Sequence, residues 1–462
     1  MQELNLGYHY PIIYWNTACL IINAGANEEL DDNKSTQYGK IAKAIANFKQ
    51  RSIIVDRPLI NEAKFSFVPD EKNNRIIFSF KGLCGIGDDI ARAIVEHQPY
   101  SSFEDFCKRM VDTKIIGTAK MIILIKAGCF NELDSPDRME TMKKFLSRNV
   151  FTPTDKLTMQ QFNSALEYDI FPKEMETMIR IKNFKAYALH ESFFLKNIID
   201  EEKKIPKKGY HDRYFALDER GTEFLMKHFN TCIVGTKEDG VIISEKLFNK
   251  EWDALIQPLK DYMALPETLQ LYNQKKLDST MESYASGSLE QWDMESLSYY
   301  PDRHELWNLN EPKYGVVDYN SLPEIPEVYE HTTRRVRGEI KHFPKYKIFR
   351  LAGTVLDSDN NKHLVSLLTN HGVVTCKYNK GQYSYYNKRI SEQTPAGKKK
   401  VLEESWFKRG SKIIVCGYRR EDQFVIMKYP DTVYTHTTNR IEEIYNDGTI
   451  LAQTDRKKVG EG

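Results

Sequence analysis

Gly82, Gly85 and Gly87 crowd a single turn, and the rest of the chain has to be arranged around it. Before them, residues 76–80 (IIFSF) alternate β-branched and aromatic side chains, which predicts a short strand or an extended lead-in. After them, Asp88 is placed to cap a helix carrying Ile90, Ala91, Ile94 and Val95 on one face. The polar link HQPYSS leads to another helical start at Phe103, Phe106 and Met110, and Gly128 closes a further apolar helix over 120–127. Such a turn presents the N–H groups of a helix start, which can hold a phosphate of a nucleic-acid backbone. The same pattern can also be only a turn between packed helices. A dinucleotide site fits less well. It would want a buried strand before the turn and an acidic residue on a second strand about 20 residues later, where this chain has an aromatic helical segment.

The 462 residues are enough for two to four domains with real cores. A formal charge of +1 gives no global field, so any nucleic-acid footprint must be local. Seven cysteines without CxxC spacing predict reduced thiols and no zinc site. No run of 18 apolar residues and no signal-like start occur, so the expectation is a soluble cytoplasmic protein without a membrane partner. Two-metal phosphoryl transfer needs carboxylates gathered on neighbouring strands. Here Asp31–Asp32, Asp88–Asp89 and Asp359 fall on helix starts or polar turns, and His9, His304 and His331 do not cluster. GxSxG, Walker and HExxH motifs are absent, so no catalytic residue and no metal ligand is expected.

In chain order, residues 11–26 predict a very apolar helix, preceded by Tyr8, His9 and Tyr10, and 37–49 an amphipathic one. Residues 65–70 predict a strand that turns at Pro69–Asp70 into a hairpin with 76–80. Residues 136–185, 219–230 and 247–263 read as mainly helical, 200–210 as a basic linker and 301–326 as an extended crossing. The pattern then changes to short strands at 348–356, 364–368 and 373–378 and a hairpin over 412–418 and 423–428. Gly353 inside the first suggests a small coiled barrel. Basic residues gather here. Arg334, Arg335, Arg337, Lys341, Lys345, Lys347 and Arg350 precede and enter the first strand. Lys377, Lys380, Lys388, Arg389, Lys398, Lys399 and Lys400 follow the third, interleaved with Tyr378, Tyr383, Tyr385 and Tyr386. Cations that track phosphates beside tyrosines that stack on bases suit single-stranded DNA; the alternative is a solvated loop with buried tyrosines.

Seven runs resemble one family in the right order: YHYPIIYWNTACLI (8–21), PLINEAKFSFVPD (58–70), the 76–106 stretch, LIKAGCFNEL (124–133), WDMESLSYYPDRHEL (292–306), FRLAGTVLDS (349–358) and FKRGSKIIVCGYRREDQF (407–424). They resemble the C-terminal part of a C-family replicative DNA polymerase, the bacterial-type polymerase III alpha subunit, and especially its phage-encoded relatives. In that family the first run is a fingers helix, and the third and fourth lie in the tandem helix-hairpin-helix module that grips duplex DNA. Ser298 stands where the family usually has glycine.

The resemblance implies an α+β multidomain fold. Residues 1–75 are expected as a fingers remnant, 76–135 as the tandem module, 136–325 as a helical and irregular connector, 326–450 as an OB-like barrel and 451–462 as a polar tail. It implies a DNA-binding portion of a replicative polymerase whose palm would precede Met1. The isolated chain is then inactive without a separate palm-bearing polymerase chain, and Mg²⁺ belongs to the complete polymerase. Lys81, Gly82, Gly85, Gly87 and Arg92 are expected at duplex DNA. Arg334, Arg335, Arg337, Lys347, Arg350, Lys377, Tyr378, Tyr383, Tyr385, Tyr386, Lys388 and Arg389 are expected at single-stranded DNA. A sliding clamp is a further partner, without a clear binding peptide. The competing readings are a non-catalytic accessory protein and an inactive remnant of an interrupted polymerase gene. A phage-encoded chain would work in the host cytoplasm.

Overall fold

A computed structural model describes residues 11–26, 35–49, 51–195, 213–237, 240–393, 399–428 and 436–457. Tyr8, His9, Tyr10, Asp31–Asp32, Lys398 and the 200–210 linker lie outside them. The chain divides into two compact units, one of residues 1–145 with 285–462 and one of residues 146–284.

The first unit opens with helix α1 (Ile12–Ala24), which ends where Gly25 takes φ 64°. One face of α1 is buried at Ile13, Thr17, Leu20 and Ala24, while Ile12, Trp15 and Ile22 remain exposed. Helix α2 (Tyr38–Lys49) buries Ile41, Ala42, Ile45 and Phe48, as its pattern predicts. Strands β1 (Ile54–Asp56), β2 (Val68–Asp70) and β3 (Arg75–Ile77) follow, with β3 central. The expected β2–β3 hairpin is present, but Pro69 and Asp70 belong to the strand and the turn is Glu71–Asn73. Helices α3 (Asp88–Glu96), α4 (Phe103–Phe106, running on through a π-type turn at Cys107–Val111), α5 (Thr118–Lys126) and α6 (Arg138–Asn149) complete this stretch.

The second unit is more than a helical connector. Helix α7 (Glu176–Ala188), strand β4 (Tyr214–Ala216), helix α8 (Glu219–His228), strands β5 (Ile233–Lys237) and β6 (Gly240–Ser244), and helices α9 (Glu245–Leu255) and α10 (Gln257–Ala264) are joined to α11 (Pro266–Ala285). The sheet order is β4-β6-β5, and Phe184, Phe215, Phe229 and Phe248 fill a core of its own. The short β5–β6 pair was not expected, because its polar tip masks the alternation.

Returning to the first unit, helix α12 (Leu289–Leu297) carries the WDMESL run. Next comes a long hairpin, β7 (Val328–Val336) and β8 (Glu339–Tyr346). The barrel is β9 (Phe349–Asp359), β10 (Leu364–Thr369), β11 (Gly372–Lys377), helix α13 (Lys380–Asn387), a side hairpin β12 (Ile390–Gln393) and β13 (Lys399–Glu403), β14 (Lys412–Arg420) and β15 (Gln423–Ile426). The strands close in the order β9-β10-β11-β15-β14 and back to β9, with only β11–β15 parallel. This is a five-stranded OB-like barrel, in keeping with the small coiled barrel that the alternation predicts. Gly353 lies in β9, and a Cβ there would meet the Leu368 carbonyl oxygen at 2.7 Å, so glycine is required by close backbone approach. Trp406, Phe407, Leu367, Val415 and Phe424 fill the interior. Strands β16 (Thr438–Ile444) and β17 (Ile450–Gln453) extend the sheet from β14, and within the 451–462 segment expected as a polar tail Arg456 is buried on Glu403 at 2.7 Å.

Candidate nucleic-acid interface

Two helix starts in the first unit share one cap geometry, each shortly after a residue with positive φ. Gly85 takes φ +85°, Ile86 is buried, and Gly87 (φ −83°, ψ 165°) caps the nine-residue α3. Lys114 takes φ 63°, Ile116 is buried, and Gly117 (φ −84°, ψ 165°) caps the nine-residue α5. Buried side chains recur at the same offsets, Ala91 and Ile94 after Gly87, Met121 and Leu124 after Gly117. The two turns are neighbours. Lys120 donates to the Gly85 carbonyl at 2.5 Å, and Ile123 lies 3.1 Å from where a Gly85 side chain would begin.

The cap of α3 is Gly87, not Asp88; Asp88 opens the helix and pairs with Lys81. The first turn of α3 therefore carries two carboxylates, Asp88 and Asp89, which oppose an approaching phosphate. Lys81 is engaged by Asp88, and the Arg92 guanidinium stacks 4.0 Å above the Phe65 ring while remaining exposed. Gly82 is buried, and a Cβ there would meet Phe78, Ser79 and Phe67 at 2.9–3.1 Å, so it is a packing glycine. Gly85 and Gly87 are exposed.

The α5 start is better suited to an anion, and the sequence reading missed it. Its first turn holds no acid, Gly117 and Ala119 are exposed with open space around Gly117, and the exposed Lys114 precedes it in the same turn. The signal available was the repeat itself: an apolar residue, a glycine, then a helix with the same buried offsets.

A buried ionic cluster holds α12 against this module. Asp293 accepts from Arg57 at 2.6 and 2.9 Å and from Arg138 at 2.5 Å. Burial works against the charge on Arg57, but Asp293 and Asp302 outweigh it and raise its pKa. Burial lowers that of Arg138, with Asp293 opposing. Ser298 ends α12 at φ 67°, a left-handed conformation that glycine adopts most readily; its hydroxyl meets Cys84 Sγ at 2.9 Å.

On the barrel the structure revises the stacking set. Tyr378, Tyr383 and Tyr386 are 1, 3 and 6% exposed, against 51% for Tyr385. Tyr378 bonds Thr438 at 3.0 Å, Tyr383 bonds Asn360 at 2.8 Å and Tyr386 stacks on Trp406, so these three are core residues and cannot stack on bases. Arg350 lies in β9 and donates to the Tyr314 carbonyl at 3.2 Å, and Lys377 reaches the Lys362 carbonyl; both tie loops to the barrel. Lys388 is exposed, and Arg389 is exposed but bonded to Glu404 at 3.1 Å. Arg334, Arg335 and Arg337 are not on the barrel at all. They sit at the distal end of the β7–β8 hairpin, and Lys347 sits at its base beside Glu327.

Among the described residues, no group of three or more His, Cys, Asp or Glu side chains could hold a metal ion. No helix among the described residues is long and apolar enough to cross a membrane.

Residues 52–140 match a helix-hairpin-helix motif family, a span that includes both glycine-capped helix starts. Over 467 aligned positions, 99% of this chain, the sequence is 40% identical to Probable DNA polymerase YorL of Bacillus subtilis (strain 168). Identity and coverage are the same for a DNA-directed DNA polymerase of Bacillus phage SPbeta. The chain spans about a third (34%) of the length of these relatives, and is similar to that portion of a DNA polymerase almost from end to end.

Proposed function

We propose that this chain is the DNA-gripping portion of a replicative DNA polymerase of the polymerase III alpha type, in which the tandem hairpins hold the duplex and the OB-like barrel guides the template strand. The observation that carries this reading is the pair of adjacent helix starts capped by Gly87 and Gly117, which can present N–H groups to successive phosphates. The phosphate grip is assigned chiefly to the α5 start, with Lys114, and secondarily to Gly85 and Gly87. Tyr385 and Lys388 supply the barrel's contact with a single strand. Nucleotide transfer is assigned to carboxylates outside this sequence, on a palm-bearing polypeptide that packs on the exposed Ile12, Trp15 and Ile22 stripe of α1. The chain's own part is then to bind and align the primer–template, which lowers the cost of bringing a primer end to the reacting centre.

The test is fluorescence anisotropy on a primer–template with the purified chain and with Ala119→Glu. The new carboxylate favours the α5 helix dipole yet repels a phosphate at its start. Weakened duplex binding by a variant that unfolds no earlier than the wild type is the expected result. Wild-type binding unchanged by the substitution refutes the α5 grip, and no DNA binding by the wild type refutes the proposal. Primer extension on the same sample should show no incorporation; extension by the uncontaminated chain would overturn the assignment of chemistry to other residues.

A further inference from the structure

The β7–β8 hairpin is an arm. Its strands pair from Val328↔Tyr346 to Val336↔Glu339, and the turn at Arg337 and Gly338 has positive φ at both residues (52° and 89°), the geometry that matches strand twist. Almost every residue on both faces is exposed. Its base is fixed: Lys347 N–H bonds the Glu327 carbonyl at 2.9 Å, and the Tyr346 ring packs 4.5 Å from that of Tyr418 in β14. A two-stranded ribbon with neither face covered gains little from burial.

Its charge is divided along its length. Near the base, Lys345 pairs with Glu330 at 2.6 Å and Lys347 with Glu327 at 3.3 Å. At the distal end, Arg334, Arg335, Arg337 and Lys341 face only Glu339, which lies 3.9 Å from Lys341. Among the described residues no carboxylate is within ion-pair reach of the three arginines. Arg334 and Lys341 stand directly opposite each other in the ladder, a placement of like charges that disfavours the hairpin by itself and is relieved by a polyanion.

We propose that this ribbon enters a groove of duplex DNA, with Arg334, Arg337 and Lys341 on the flanking phosphates. The inference rests on the reading that the chain binds DNA, and it assigns these cations to duplex rather than to the barrel's single strand. The major groove of B-form DNA admits a two-stranded ribbon, and a ribbon bare on both faces suits insertion between two phosphate walls. A single-strand platform would need rings among the cations. The distal residues 334–341 contain none, since Phe343 and Tyr329 lie nearer the base.

The experiment compares the full chain with Arg334→Gln/Arg337→Asn/Lys341→Gln, asparagine being chosen because it tolerates the positive φ at 337. A second variant replaces 328–346 by a two-residue turn, which the Lys347–Glu327 backbone bond makes feasible. Anisotropy is read on a duplex and on a single strand of equal length across a salt series. The expected result is a duplex salt slope shallower by about 2.7 and a loss in duplex affinity on the order of 10² at 0.1 M salt, with single-strand binding unchanged. An unchanged duplex slope in both variants overturns the arm, as does an equal loss on the single strand. A wild-type chain that binds neither DNA overturns instead the functional reading on which the arm depends.

Discussion

Acidification should loosen the barrel through one histidine. His304 is half-buried, and its two ring nitrogens have opposite duties: Nε2 donates to the Leu368 carbonyl at 2.9 Å, and Nδ1 accepts from the Leu306 N–H at 2.9 Å. A proton on Nδ1 would face another donor, and burial, with Lys49 nearby, already disfavours the cation; the pKa falls to about 4 from 6.5. Because the folded value is the lower one, the unfolded chain binds the proton first. The stabilisation is therefore complete above about pH 6.5 and is lost as pH falls towards 4. From those two values the loss is about 1.4 kcal/mol at pH 5.5 and about 3 kcal/mol by pH 4. Urea unfolding read by hydrogen exchange of the β9 and β10 amides, wild type against His304→Gln at pH 7.5, 5.5 and 4.5, isolates this group from the carboxylates. The wild-type advantage should shrink with acid by those amounts. A difference that stays flat from pH 7.5 to 4.5, or grows, would refute the assignment of the neutral Nε2–H form.

Asp293→Asn should cost about 3–5 kcal/mol, because it strips two guanidinium groups of their buried partner, whereas Asp302→Asn at the exposed end of the same cluster should cost at most about 1 kcal/mol; urea titration of both variants checks the contrast. Gly353→Val should prevent β9 from closing on β10 and abolish the barrel's near-ultraviolet circular dichroism, while a surface control such as Gly381→Ala leaves it intact. Tyr385→Ala should weaken single-strand binding without changing thermal stability, and Tyr386→Ala should destabilise the barrel by about 3 kcal/mol through loss of the ring packed on Trp406. Calorimetry beside anisotropy separates the two.

What the sequence determined by itself is everything written in short-range periodicity. The period-two runs around Gly353, over 364–378 and over 412–426 are the barrel strands, because a strand with one buried face leaves that alternation in the chain. The glycine-rich turn before α3 was legible for the same local reason. The tertiary structure decided which of the marked residues face solvent. Tyr383 and Tyr386 lie one helical turn apart on the buried side of α13, and Tyr385 lies on the other, a distinction that depends on which face of the helix meets Trp406 and Phe407. The run 334–350 reads as one basic patch, yet strand pairing sends Arg334, Arg335 and Arg337 to the end of an arm, Lys347 to a carboxylate at the base and Arg350 into the barrel, where it holds the Tyr314 carbonyl. Residue type gives a cation its charge; only long-range pairing decides what that charge faces.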